Sequence, residues 1–200
     1  MHVAAVPSDG RAARAARTRD AIVDAAIALL EEGDLRPTAP RIAERAGVSV
    51  RSVFQHFVDL PTLHTAVIHR VLERLAVLVV AIDPGMPRGD RIAAFAAYRG
   101  ALLEAVTPYR RAAAVHGPFA PELRTAVAQG AAFLRQEVAA AFAPELAALE
   151  AADQRQLLDA LAAVASWAMW ESLRTEAGDS PDEARAVVVR ALHSLLDHLP

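Results

Sequence analysis

Twenty consecutive residues, Thr38-Ala-Pro-Arg-Ile-Ala-Glu-Arg-Ala-Gly-Val-Ser-Val-Arg-Ser-Val-Phe-Gln-His-Phe57, constrain the fold more than any other stretch of the chain. They compress two helix starts, one glycine and an apolar set into the space of two short helices. The Thr38 hydroxyl can cap a helix over Ala39 to Ala46, and Pro40 is tolerated in its first turn, where amides need no intrahelical partner. Gly47, free to adopt positive φ, and Val48 end that helix, and Ser49 can cap a second one over Val50 to His56. Ala43 is small where two helices would touch, and Ile42, Ala46, Val48 and Val53 supply the apolar lock. Phe57 and Leu63 then pack the pair against the helices on either side. This spacing predicts a helix-turn-helix.

The rest of the chain reads helical as well. Alanine, leucine and arginine dominate, only 5% of residues are aromatic and valine-rich alternating stretches are short, so periodicity predicts an all-α protein. A helix over Thr18 to Glu32 places Ile22, Ala26, Leu29 and Leu30 on one face, with Asp20 and Asp24 opposite, and stops at Gly33. Asp59 and Pro61 open a long helix reaching Ile82. After a loop over residues 83–90, helices are expected over Arg88 to Ala105, Pro108 to Val115, Pro121 to Phe142, Gln154 to Glu176 and Asp182 to His198. The intervening breaks fall at Gly117-Pro118, Pro144 and Gly178 to Pro181.

Composition excludes several classes. With 54% hydrophobic and 22% charged residues, the chain lies far from the low-hydrophobicity, high-charge region of disorder. The absence of cysteine rules out a disulfide framework and any thiolate metal site, and fits a cytoplasmic location. Uncharged stretches such as Ala160 to Trp170 are far shorter than a membrane span, which needs about 18 apolar residues. Residues 1–19 lack an apolar run of signal-peptide length. Metal binding is not expected: His64 and His69, like His193 and His198, are five apart, which on a helix splays the rings by about 140°. No Gly-x-Ser-x-Gly, phosphate loop, dinucleotide fingerprint or His-Glu-x-x-His occurs, so neither a cofactor nor an enzymatic activity is expected.

Charge is unevenly placed. Residues 1–19 carry four arginines against one aspartate, whereas residues 20–60 carry four arginines against seven acids. The basic excess is a short N-terminal stretch, expected as a flexible arm over residues 1–17, in which Arg11, Arg14 and Arg17 reach an adjacent minor groove or backbone. With Val53 turned inward, the second short helix offers Val50, Arg51 and Gln55 outward, with Ser49 and Ser52 at its first turn. Such a face suits a major groove. Arg51 can bond bidentately to guanine, Gln55 to adenine, and Val50 can touch a thymine methyl. Thr38, Ser49 and His56 are phosphate candidates, with Arg41 and Arg45 nearby. The bland alternatives are an ordinary helix pair and a solvated surface face.

From Thr18 to Leu63 the sequence resembles the tetracycline repressor (TetR) family. The resemblance rests on Thr18-Arg19-x-x-Ile22-x-x-Ala25-Ala26-x-x-Leu29, then Thr38-x-x-x-Ile42-Ala43-x-x-Ala46-Gly47-Val48-Ser49, then Ser52-Val53-Phe54-x-His56-Phe57 and Asp59-x-x-x-Leu63. It implies an N-terminal three-helix DNA-binding domain (residues 18–60) followed by a helical ligand-binding and dimerisation domain (residues 61–200), about nine helices in total. The implied function is a homodimeric regulator, usually a repressor, that binds a palindromic operator and is released by a small molecule. The implied DNA-contacting set is Thr38, Arg41, Arg45, Ser49, Val50, Arg51, Ser52, Phe54, Gln55 and His56. Two departures bear on it: Phe54 stands where the family commonly has a tyrosine, and Leu60 where a lysine often opens the fourth helix. They motivate the alternative of a protein that kept the fold but lost specific DNA binding, acting as a small-molecule- or partner-binding module.

Beyond residue 63 the resemblance supplies architecture alone. Leu157, Leu161, Val164, Ala168 and Leu173, then Val188, Ala191, Leu192, Leu195 and Leu196, recur at three-and-four spacing and are expected to pair two copies through the last two helices. Tyr98, Tyr109, His116, Phe119, Phe133, Trp167 and Trp170 are candidate lining for an effector cavity, against the alternative that they are core. Arg99, Glu104 and Glu171 are expected to be solvated.

Overall fold

The computed structural model describes residues 9–116 and 120–197. Every regular element among them is an α-helix: α1 (Asp9–Glu31), α2 (Ala39–Ala46), α3 (Val50–His56), α4 (Leu60–Ala76), α5 (Arg88–His116), α6 (Pro121–Ala141), α7 (Ala143–Ala147), α8 (Ala151–Val164), α9 (Trp167–Thr175) and α10 (Pro181–Asp197). No described helix is long and apolar enough to cross a membrane. The chain forms two compact units. One comprises Met1–Arg74 with Pro108–Arg124, the other Leu75–Thr107 with Thr125–Pro200.

In the first unit, Ile22 and Ile27 of α1, Ile42 of α2, Val53 of α3, Phe57 just after it, and Leu63 of α4 are buried almost completely. That makes α4 as far as Arg74 part of the same body as the helix-turn-helix, so this compact unit extends past residue 60. The N-terminal stretch differs from a flexible arm: residues 9–17 are helical and continuous with α1. Extending an existing helix skips the nucleation step, and alanine and arginine are strong helix formers, so propagation carries α1 outward without any core to bury.

The expected long helix to Ile82 ends instead at Ala76. Val77, Val79 and Val80 follow, and β-branched side chains lose rotamer freedom in a helix. Pro84, a little further on, also opposes continuation.

In the second unit the core is formed by Ile92, Phe95, Leu103, Val138, Phe142, Leu161, Trp170, Val188 and Leu192, with Phe95 and Phe142 in edge-to-face contact at 5.2 Å. Two helix boundaries depart from the sequence reading. The segments over Arg88 to Ala105 and Pro108 to Val115 are one helix, α5, with Pro108 inside it. Leu102 and Leu103 before the proline and Ala112 and Ala113 after it are buried, and the Thr107 hydroxyl donates to the Leu103 carbonyl at 2.7 Å. Burial on both sides outweighs the lost backbone bond. Conversely, the single helix over Gln154 to Glu176 is two, because Ser166 adopts extended geometry and its Oγ accepts from the Met169 amide at 3.2 Å. A serine cap restarts the helix within an alanine-rich run.

Candidate nucleic-acid interface

The interface is built on the turn between α2 and α3. Gly47 takes a left-handed conformation (φ 67°, ψ 32°), and the Val48 amide donates to the Ala43 carbonyl at 2.9 Å, closing the end of α2. Ser49 starts α3: its Oγ accepts from the Ser52 amide at 3.1 Å, leaving its own proton to donate outward. Thr38 occupies the capping position of α2 in extended geometry but makes no side-chain cap. Pro40 has removed one of the two amides that a capping oxygen reaches.

With Val53 buried, α3 turns Val50, Arg51, Phe54 and Gln55 outward as one contiguous exposed arc, while Ser52 and His56 are half-buried at its margins. Phe54 is 48% exposed. Thr38, Arg41 and Arg45 are also exposed.

The flanking arginines are engaged within the chain, which sequence spacing did not reveal. Arg45 grips both carboxylate oxygens of Glu32, its Nη1 at 2.9 Å from Oε2, and holds that carboxyl below the usual range. Arg41 Nη1 lies 2.6 Å from Asp34 Oδ2. Both carboxylates come from the loop side of α1, brought close only by folding. Asp59 Oδ1 accepts from the Thr62 amide at 2.8 Å and from its hydroxyl at 2.7 Å, fixing the start of α4. These bonds lower the Asp59 pKa.

The described aromatic candidates are divided between the two units. Tyr109 belongs to the first unit, where its hydroxyl donates to Glu31; burial first and that bond second push its pKa up to about 12. In the second unit Tyr98 donates to Glu137 Oε1 at 2.6 Å, and its pKa is raised by burial and by Glu137. Trp170 is core, its Nε1 donating to Glu104 Oε1 at 2.6 Å. A Cβ on Gly100 would meet its ring at 2.9 Å, so α5 and that indole touch only because residue 100 lacks a side chain. Trp167 is half-buried and donates to Thr107 Oγ1 at 3.1 Å. Phe133 is exposed. The His116 side chain and Phe119 lie outside the described residues, as do Gly117-Pro118 and His198. Among the described residues, no group of three histidine, aspartate or glutamate side chains is placed to hold a metal ion.

Of the residues expected in solvent, Arg99 is buried and Glu104 is engaged by its neighbours. Arg99 is 2% exposed: its Nη2 bonds the Leu134 carbonyl at 3.1 Å and Glu137 Oε2 at 3.3 Å, and its guanidinium lies 4.8 Å from the Phe95 ring centroid. Burial lowers its pKa against the pull of Glu137, yet a guanidinium stays charged at any accessible pH. Glu104 is half-buried between Trp170 and Arg174, the latter at 2.8 Å. The proposed dimer residues Leu157, Leu161, Val188, Leu192 and Leu196 are also buried within the chain's own core, so their apolar surface is already used.

A short, exposed helix held by a glycine turn against a buried helical support is the architecture of a helix-turn-helix. Residues 22–59 match the sequence profile of the bacterial regulatory proteins of the tetR family. The sequence match to that family is confined to this segment, which spans α2, α3 and the C-terminal part of α1. A Mesorhizobium loti protein assigned to this family shares the fold with a TM-score of 0.66, at 18% identity over 92% of this chain and 97% of that one. A Rhodococcus sp. Rha1 transcriptional regulator gives 0.62 at 17% identity over 93% and 99%. A further Rhodococcus TetR-family structure gives 0.62 at 19% identity over 90% and 98%. No curated protein matches the chain.

Proposed function

We propose that this protein is a transcriptional regulator of the TetR family, a repressor that binds a palindromic operator as a homodimer and is released when a small molecule binds its C-terminal helical region. On this reading residues 18–60 read DNA, and residues 61–200 take the effector and pair the two copies. The observation carrying it is the outward arc of Val50, Arg51, Phe54 and Gln55 on α3. Arg51 bonds guanine O6 and N7, Gln55 bonds adenine, and Val50 and Phe54 meet thymine methyls or sugar, the apolar contact replacing a hydroxyl-to-phosphate bond. Thr38, Ser49, Ser52 and His56 serve the backbone around them, and Arg41 and Arg45 join once they leave their carboxylates. The effector acts by population shift, favouring the dimer state whose two α3 helices are wrongly spaced for one duplex.

Selection of bound fragments from random DNA tests the reading: it should return an inverted repeat. Arg51→Ala should weaken binding to that repeat by about 1–3 kcal/mol and relax the preference at one base pair, with the melting curve unchanged. Equal binding by the variant removes Arg51 from the recognition set. The engagement of Arg41 and Arg45 by acids, together with Phe54 and Leu60, favours one competing reading, a regulator fold without specific DNA binding. Recovery of no repeat would favour it.

A further inference from the structure

We propose that a cleft along α4 in the first unit is a binding site for a small amino carboxylate, a zwitterion whose two charges are separated by a short methylene stem. The cleft encloses about 350 Å³ and is lined by Arg19 of α1, by Thr62, Ala66 and His69 of α4, and by Glu122 of α6, all within that unit. Its volume falls at the lower end of small-molecule sites, which run from about 300 to 1,000 Å³. Thr62, Ala66 and His69 are four and three residues apart, so they share one face of α4 and extend the cleft over two turns, roughly 10 Å. None of the outward residues of α3 lines it. The inference therefore stands apart from the DNA-binding reading.

Charge decides the occupant. Arg19 and Glu122 bear opposite charges and face the same space, yet neither has an ion-pair partner among the described residues. Elsewhere in this unit opposite charges that share a space do pair, as Arg70 does with Asp20 and Asp24, and Arg45 with Glu32. The cleft thus holds a cation and an anion apart, and a molecule carrying both signs bridges them. Arg19 is ready for a carboxylate: its guanidinium lies 4.8 Å from the Phe57 ring centroid, a contact through its face that leaves the N–H edge to donate. Asp59, also in the lining, adds an acceptor for the ammonium. Its Oδ1 takes both bonds from Thr62, which leaves Oδ2, and those bonds keep the carboxyl ionised. Pro61 and Ala66 give the methylene stem an apolar floor. Occupants of one sign fit worse. An anion meets Glu122 and Asp59, and an organic cation meets Arg19. A metal ion has no group of three histidine, aspartate or glutamate side chains placed for it among the described residues.

The test uses the full-length protein without DNA, so its outcome is independent of whether an operator is found. γ-Aminobutyrate and ε-aminocaproate are titrated in by calorimetry, with butyrate and butylamine as probes of one sign each. At least one amino carboxylate should bind saturably and shift the backbone amide resonances of Thr62, Thr65 and His69, and both single-charge probes should bind at least tenfold more weakly. Glu122→Gln, at an exposed position, removes the acceptor with little change of shape and should weaken the binding at least tenfold. Arg19→Met removes the cation while keeping an apolar stem on Phe57 and should do the same. Melting curves of both variants check the fold, and Glu122→Gln carries the test if Arg19→Met disturbs the Phe57 contact. Failure of both amino carboxylates to saturate overturns the site. So does equal binding of butyrate or butylamine, or affinity unchanged in Glu122→Gln.

Discussion

Gly47 holds a backbone conformation that an L-residue adopts only with strain, yet nothing lies within 4 Å of where its Cβ would be. The cost of a side chain there is therefore conformational and not steric. Gly47→Ala should destabilise the first unit by about 1 kcal/mol, read as a lower unfolding midpoint in denaturant. Gly47→Asn, which tolerates the left-handed region better, should recover part of the loss. Equal stability of all three proteins would mean that the turn does not depend on positive φ. This residue was legible because its requirement is local: a helix end, an apolar residue after it and a capping serine two positions on. The exposed arc of α3 was legible for the same reason, since one inward Val53 fixes where its neighbours point. Arg99 was not, because an arginine flanked by tyrosine and glycine on α5 looks solvated until Glu137, Leu134 and Phe95 close around it.

Helix ends divide in the same way. Those marked by a glycine or a proline-rich loop fell where the pattern placed them, as at the α2 to α3 turn and before α10. Those decided by packing did not: Pro108 stays inside α5 because Leu103 and Ala112 are buried on either side of it, whereas Ser166 divides an apolar run that periodicity joins. Ion pairs between elements are a further part that spacing cannot show, and the pair between the loop after α1 and α2 has consequences for both stability and binding. Arg45 holds the Glu32 carboxyl below its usual range. A depressed carboxylate stabilises the fold at pH above the unfolded value, near about 4.3, and that contribution is lost as pH falls through the lower folded value. Stability profiles of the wild type and Glu32→Ala should thus differ most above that window and converge at acid pH. The same variant releases Arg45 to bind phosphate. Its salt slope on the selected operator should steepen by about 0.9, the increment for one added phosphate, with tighter binding at low salt. A slope equal to the wild type would show that Arg45 stays away from DNA even when free.

At the scale of the whole molecule, the pairing surface must be found among what each copy leaves uncovered. Ala184, Val188, Leu192 and Leu196 form the stripe of α10 spent on the chain's own core. One position around the helix runs a second row, Val187, Ala191 and Leu195, of which Val187 is exposed and the other two are half-buried. If the proposed homodimer pairs through this end of the chain, that second row is the part of α10 still able to meet its symmetry mate, and the small Ala191 lets two helix axes approach closely. Val187→Arg places a charge at the centre of such a contact, where it has no partner and loses its hydration. Sedimentation equilibrium should then show the variant shifted to monomer at concentrations where the wild type is dimeric. Because Val187 contributes little to the protomer's core, the melting curve extrapolated to low concentration should be nearly unchanged. Binding to the full inverted repeat should fall towards that for a half-site, since two recognition helices no longer arrive together. A variant that remains dimeric and binds the repeat as before would move the pairing surface off α10.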